Sequence, residues 1–148
     1  MTTTFLPLLT LADLEAMPDD DNKYELIEGE LFVSRAPHFN HNSAILNLAL
    51  QLKNYLSRNP IGKVFVEPSV IFGDYDAGIP DLVYFSNERF EAHAREGKFY
   101  AAPDLVIEIA SPGVENERRD WHIKRRLYAQ QGAQKHWIVD WQKRRIAV

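Results

Sequence analysis

The stretch Asp104-Leu105-Val106-Ile107-Glu108-Ile109-Ala110 constrains the fold of this chain more than any other. An apolar run of this length, broken by Ser111-Pro112-Gly113, is the pattern of a strand covered on both faces, as in the middle of an α/β sheet. An acid stands inside it. A glutamate facing solvent would alternate with polar neighbours, whereas the same-face neighbours Val106 and Ala110 are apolar. Glu108 is therefore expected inside the protein, where a carboxylate must be paired or bind a cation.

Other elements follow from periodicity. Thr10 caps a short helix over Leu11 to Glu15, and Pro18 with three aspartates makes a solvated turn. Tyr24-Glu25-Leu26-Ile27 and Glu30-Leu31-Phe32-Val33 form a hairpin about Gly29. His41 to Ser57 has apolar residues at the three-and-four spacing of an amphipathic helix, ended at Asn59-Pro60. Residues 63 to 72 read as a strand, 73 to 78 as a turn, and Leu82 to Phe85 as a second strand paired with the first. Asn87 to Glu96 reads as a polar helical excursion, Asn116 to Gln131 as a second main helix ended by Gly132, and His136 to Asp140 as another apolar strand. A last strand begins at Arg145. The core order is helix, strand, strand, strand, helix, strand, with a hairpin in front.

The length of 148 residues and a hydrophobic content of 45% suit a single domain over residues 1–148. The absence of cysteine excludes disulfides and thiolate metal sites, which leaves carboxylate, imidazole, carbonyl and water as ligands. No apolar run is long enough to span a bilayer, and the start lacks the features of a signal peptide, so a cytoplasmic protein without membrane contact is expected. The net charge of -4 argues against wholesale coating of nucleic acid, yet it hides an asymmetry. Residues 1 to 36 hold eight acids against two bases, and residues from Gly113 onward hold nine bases against four acids. One basic face on an acidic protein is the expectation.

Three charged residues fall where core is expected. Asp81 opens the apolar run Leu82-Val83-Tyr84-Phe85, although turns and strand starts favour aspartate in any case. For Glu108 the plain explanation, a solvent-facing strand position, is weaker. On the second main helix, Asp120, Trp121, Ile123, Lys124, Leu127 and Tyr128 form one arc at about 100° per residue, with Lys124 near its centre. The plain alternative is that Lys124 snorkels and pairs with Asp120 one turn earlier. Arg118, Arg119, His122, Arg125 and Arg126 take the opposite face. Two carboxylates that hold a divalent cation, with a lysine to stabilise developing charge, suit phosphodiester hydrolysis. His41, Glu25 and Glu67 are lower-ranked candidates: capping or packing is the commoner role for a helix-end histidine, and solvent exposure is at least as good a reading for the two glutamates. No glycine-rich phosphate loop, nucleophile elbow or His-Glu-x-x-His pattern occurs.

With these residues in view, the chain resembles the Uma-two family of restriction endonucleases, within the PD-(D/E)XK nuclease superfamily. The resemblance is carried by Tyr24 to Leu31, His41, Pro80-Asp81-Leu82-Val83, Pro103 to Pro112, Lys124, Tyr128, Gly132 and Trp137-Ile138-Val139-Asp140. It implies a restriction-endonuclease-like core, a mixed β-sheet flanked by helices in the order αβββαβ. It also implies a magnesium- or manganese-dependent endonuclease acting on DNA, with catalytic Asp81, Glu108 and Lys124 and a metal held by Asp81, Glu108 and the Ile109 carbonyl. Ala110 stands where the signature lysine would be, and Lys124 on the following helix is its replacement. The family pattern continues past residue 148 with another strand or hairpin, and a homodimer is compatible with it. The helix 41–57 contains no glutamate for the first motif, for which Glu25 is the best substitute. An inactive nucleic-acid-binding or oligomerisation module of the same fold is the competing expectation.

Overall fold

The computed structural model describes residues 6–113, 116 and 118–148. A short helix α1 (Leu11–Glu15), held by a capping box between Thr10 and Asp13, leads into the hairpin β1 (Lys23–Ile27) and β2 (Glu30–Ser34). Its two turn residues, Glu28 and Gly29, both have positive φ, 51° and 77°, as a tight hairpin turn of this hand requires. Helix α2 spans Phe39–Arg58, capped by His38.

The apolar segments then divide between two sheets. β3 (Gly62–Val66), β6 (Leu82–Ser86), β9 (Leu105–Ile109), β10 (Lys135–Asp140) and β11 (Arg145–Ala147) form one, in the order β11-β10-β9-β6-β3. β9 is central, antiparallel to β6 and parallel to β10. Every residue of β9 is buried, Glu108 included. The β9-to-β10 crossover contains a π-helical segment, Arg118–Ile123, that runs into α4 (Lys124–Gln130). The second sheet joins the hairpin to β4 (Val70–Gly73), β5 (Asp76–Gly78), β7 (Ala94–Arg95) and β8 (Lys98–Phe99), in the order β2-β1-β5-β4-β8-β7.

This division refines the expected strand over residues 63–72. The chain changes sheets at Glu67 (φ 51°), whose N–H donates to the Asp81 carbonyl at 3.1 Å. β3 pairs with β6 as expected, but β4 belongs to the other layer. Residues 73–78 end in a strand rather than a turn, because β5 bridges β1 and β4. The helix after β6, α3, is shorter than expected, Asn87–His93. Positive φ at Glu96 and Gly97 then folds residues 94–99 into a small hairpin that draws Phe99 into the core.

Strand alternation sorts the core. Leu105, Ile107 and Ile109 of β9 pack with Leu82, Val139 and Ile45 of α2, while Val83 and Phe85 turn to the other face, with Val70 and Phe99. Burial of each of the larger side chains stabilises the fold by roughly 1.5–3 kcal/mol. Among the described residues no helix is long and apolar enough to cross a membrane.

Candidate active site

The face of β6 that carries Val83 and Phe85 also carries Asp81, one residue before the strand begins. β6 and β9 pair with Val83 opposite Val106 and Leu82 opposite Ile107. Continuing that register by one residue sets Asp81 opposite Glu108, on the same face. The two carboxylates therefore meet across adjacent strands, and the Ile109 N–H donates to Asp81 Oδ2 at 2.7 Å. His41, near the start of α2, places Nε2 3.3 Å from the same oxygen.

The second sheet supplies the opposite wall. Alternate residues of β1 share a face, which brings Lys23 and Glu25 together. Lys23 Nζ lies 3.6 Å from Asp81 Oδ1. Glu25 is buried and accepts the Ile79 N–H at 2.8 Å. Gly78 permits this approach, since a Cβ there would meet the Tyr128 hydroxyl at 2.8 Å and Glu25 Oε2 at 3.5 Å.

Lys124 completes the cluster. Its ammonium lies 2.8 Å from Glu108 Oε1 and 3.0 Å from Glu25 Oε2, with the lysine side chain 2% exposed. It does not snorkel to Asp120, which pairs with Arg119 instead. The contact with Glu108 is an ion pair without hydrogen-bond alignment, and Oε1 of Glu108 has no hydrogen-bond partner.

One ammonium shared by two buried carboxylates divides them. Burial opposes ionisation of Glu25, but Lys124, Lys23 and the Ile79 N–H outweigh it and lower its pKa below the usual carboxylate value. Glu108 has no comparable set of donors. Burial, reinforced by the charges of Asp81 and Glu25, raises its pKa well above the usual value despite Lys124. Burial also opposes ionisation of Asp81, where the His41 contact and the ammoniums of Lys23 and Lys124 prevail and lower the pKa. Burial alone would lower the Lys124 pKa, and the two glutamates raise it well above normal. The lysine stays charged.

These groups line a cleft of about 400 Å³ between the two sheets, together with Ile109, Glu67 and Arg119. Asp81, Glu108, Lys124 and Ile109, all singled out in the sequence, are thus brought together. Glu25 and His41 join them as buried members, while Glu67 is exposed at the margin. Arg119 departs from expectation. Its side chain is only 14% exposed and faces the cleft, because the wider π-helical turn shifts its phase from that of a regular helix. The expected basic face is also reduced, since Arg126 pairs with Glu28 at 3.2 Å and Arg118 approaches Glu30 at 3.8 Å. The basic end of the chain thus folds against its acidic start.

Three buried carboxylates, Glu25, Asp81 and Glu108, face the ammoniums of Lys23 and Lys124, so with all five ionised the cluster is short of positive charge. Among the described residues no group of three or more His, Cys, Asp or Glu is assembled to hold a metal ion. A divalent cation such as magnesium takes hard oxygen donors and keeps several waters. Asp81, the under-partnered Glu108 and the neighbouring Ile109 carbonyl are a hard oxygen set that fits it.

The family model for Uma2, described as "Putative restriction endonuclease", matches residues 11–148. The chain belongs to the Uma2 family. No curated protein matches it. A crystal structure from Anabaena variabilis, described as a putative nuclease belonging to DUF820, is similar with a TM-score of 0.70 at 24% identity, over 89% of this chain and 74% of that one. That likeness bears on the fold, and Uma2 membership supports a nuclease-like function.

Proposed function

We propose that this Uma2 chain is a divalent-metal-dependent endonuclease that hydrolyses phosphodiester bonds in DNA. The observation that carries the reading is the buried Lys124 ammonium, 2.8 Å from Glu108 in a cleft that also holds Asp81. A purely structural core has no use for this arrangement, because an apolar replacement of a buried ion cluster is often as stable or more so.

Asp81, Glu108 and the Ile109 carbonyl would hold Mg2+ or Mn2+, which would polarise a phosphate oxygen and make water a better nucleophile. His41 and the Ile109 N–H orient Asp81. As a ligand Glu108 would be ionised, so the proton that burial helps it hold would compete with the metal, and binding would tighten as pH rises. Lys124 stabilises the negative charge that develops on the phosphate in the transition state, and Glu25 keeps its ammonium in place.

The test is incubation of the purified chain with supercoiled, linear and single-stranded DNA and with RNA, in Mg2+, Mn2+ or chelator, beside Asp81→Ala. Cleavage of DNA that requires metal and disappears in Asp81→Ala is expected. Metal-dependent binding without cleavage by the parent would instead identify an inactive binding module of this fold. Cleavage that survives the chelator or the substitution would remove this cleft from the chemistry.

A further inference from the structure

Arg119 is a half-buried cation at the cleft to which the mechanism above assigns no role. The i→i+5 repeat of the π-helical segment brings it onto one face with Lys124, five residues further along. Its Nε donates to Asp120 Oδ1 at 3.0 Å and its Nη2 to Oδ2 at 3.4 Å. Asp120 is itself 2% exposed, and its Oδ2 accepts the Ser111 N–H at 3.3 Å, which ties the pair to the loop leaving β9. A guanidinium has five N–H donors, so the contacts with Asp120 leave others free.

A cation with a fixed orientation and free donors, set beside the carboxylates of a hydrolytic cleft, suits the non-bridging oxygens of a phosphate. Asp20, Asp21 and Glu67 line the same cleft and repel a polyanion, which increases the need for such a contact. We propose that Arg119 grips a backbone phosphate of the DNA and so seats the scissile linkage over Asp81 and Glu108, with Asp120 as the positioning residue that aims it. This role rests on the nuclease reading above and adds to it a specific anion contact.

The test uses short DNA substrates that each carry one uncharged methylphosphonate linkage, stepped along the strand. For the parent, neutralising the linkage held by Arg119 should lower kcat/KM by about 30-fold, the effect expected from one charge-assisted hydrogen-bonding group. Arg119→Gln should show a loss of similar size on all-phosphate DNA and no further loss at that one linkage. Asp120→Asn should show a smaller loss with the same linkage signature. Arg119→Lys, which keeps the charge without the fork, carries the test if Arg119→Gln melts below the assay temperature, and should retain part of the activity.

A structural ion pair would give another pattern. Its removal would lower the melting temperature, and any deficit would add equally to every methylphosphonate. That result, or Arg119→Gln activity close to the parent's, overturns the proposal while leaving the nuclease reading intact. Failure of the parent to cleave all-phosphate DNA in any metal would overturn the nuclease reading and this role with it.

Discussion

Replacing Lys124 with Met removes an ammonium that is 2% exposed and lies within 3.0 Å of two buried carboxylates. Methionine fills similar space, so the packing change is small and the electrostatic change dominates. Breaking a buried ion pair from one side costs about 3–5 kcal/mol, because the remaining partner is left uncompensated. For a domain of this size that corresponds to a fall in melting temperature of about 6–20 °C. Without Lys124, the folded state should raise the pKa of both Glu25 and Glu108. A carboxyl whose folded pKa is raised contributes stability that is complete below its unfolded pKa and is lost as pH rises through the folded value. The deficit of Lys124→Met should therefore be small near pH 5 and large near pH 8. Glu25→Gln/Lys124→Met removes one of the two stranded charges and should recover part of the stability. If the ammonium also stabilises transition-state charge, turnover of both variants should drop by about two to three orders of magnitude while DNA affinity is largely kept. Thermal melts across this pH range, paired with single-turnover cleavage at saturating magnesium below the melting temperature, separate the two effects. Full turnover in folded Lys124→Met would remove the lysine from the mechanism, and a melting curve unchanged at high pH would refute the electrostatic argument.

Glu108→Gln should melt with a weaker pH dependence above the ordinary carboxylate range, since it removes a group whose raised pKa lets stability fall as pH rises; parallel melts of parent and variant check this. Gly78→Ala should destabilise by about 1–3 kcal/mol, since the added methyl meets the buried Tyr128 hydroxyl at 2.8 Å, and its denaturant midpoint should shift accordingly. Arg125→Gln/Arg126→Gln, on exposed positions of α4, should weaken DNA binding and lower the slope of log K against log salt by about one to two, the smaller value applying if Arg126 keeps its pairing with Glu28, with turnover at saturation unchanged. Fluorescence anisotropy titrations at several salt concentrations measure that slope.

Burial of Glu108 and Lys124 was legible because each interrupts a periodic apolar pattern. A charged residue in a strand with apolar same-face neighbours has few outcomes other than a paired interior site, whereas a lysine at the centre of an inward helical arc can also snorkel to the surface. Asp81 was legible only with the strand that follows it. Glu25 was ambiguous, since β1 alternates and either face could have been the wet one; the pairing of Leu26 with Ala77 of β5 turns Glu25 inward, and that partner is distant in sequence. His41 gave no local signal, because a histidine in the first turn of a helix is equally suited to capping. Arg119 was misplaced for a specific reason. The arc assumed 3.6 residues per turn throughout, and the π-helical segment breaks that period where Arg119 lies. The second sheet was only partly visible, because β5, β7 and β8 are two or three residues long and depend on partners rather than pattern.

The cluster draws Lys23 and Glu25 from near the start of the chain, His41 from the first long helix, Asp81 and Glu108 from the middle strands and Lys124 from near the end. No fragment of the sequence contains a working subset, and each loop closure that joins these segments costs entropy before the contacts repay it. A topology with many distant pairings folds slowly. During synthesis, the cluster cannot assemble until α4 has emerged from the ribosome and docked, because Lys124 carries the ammonium that Glu25 and Glu108 share.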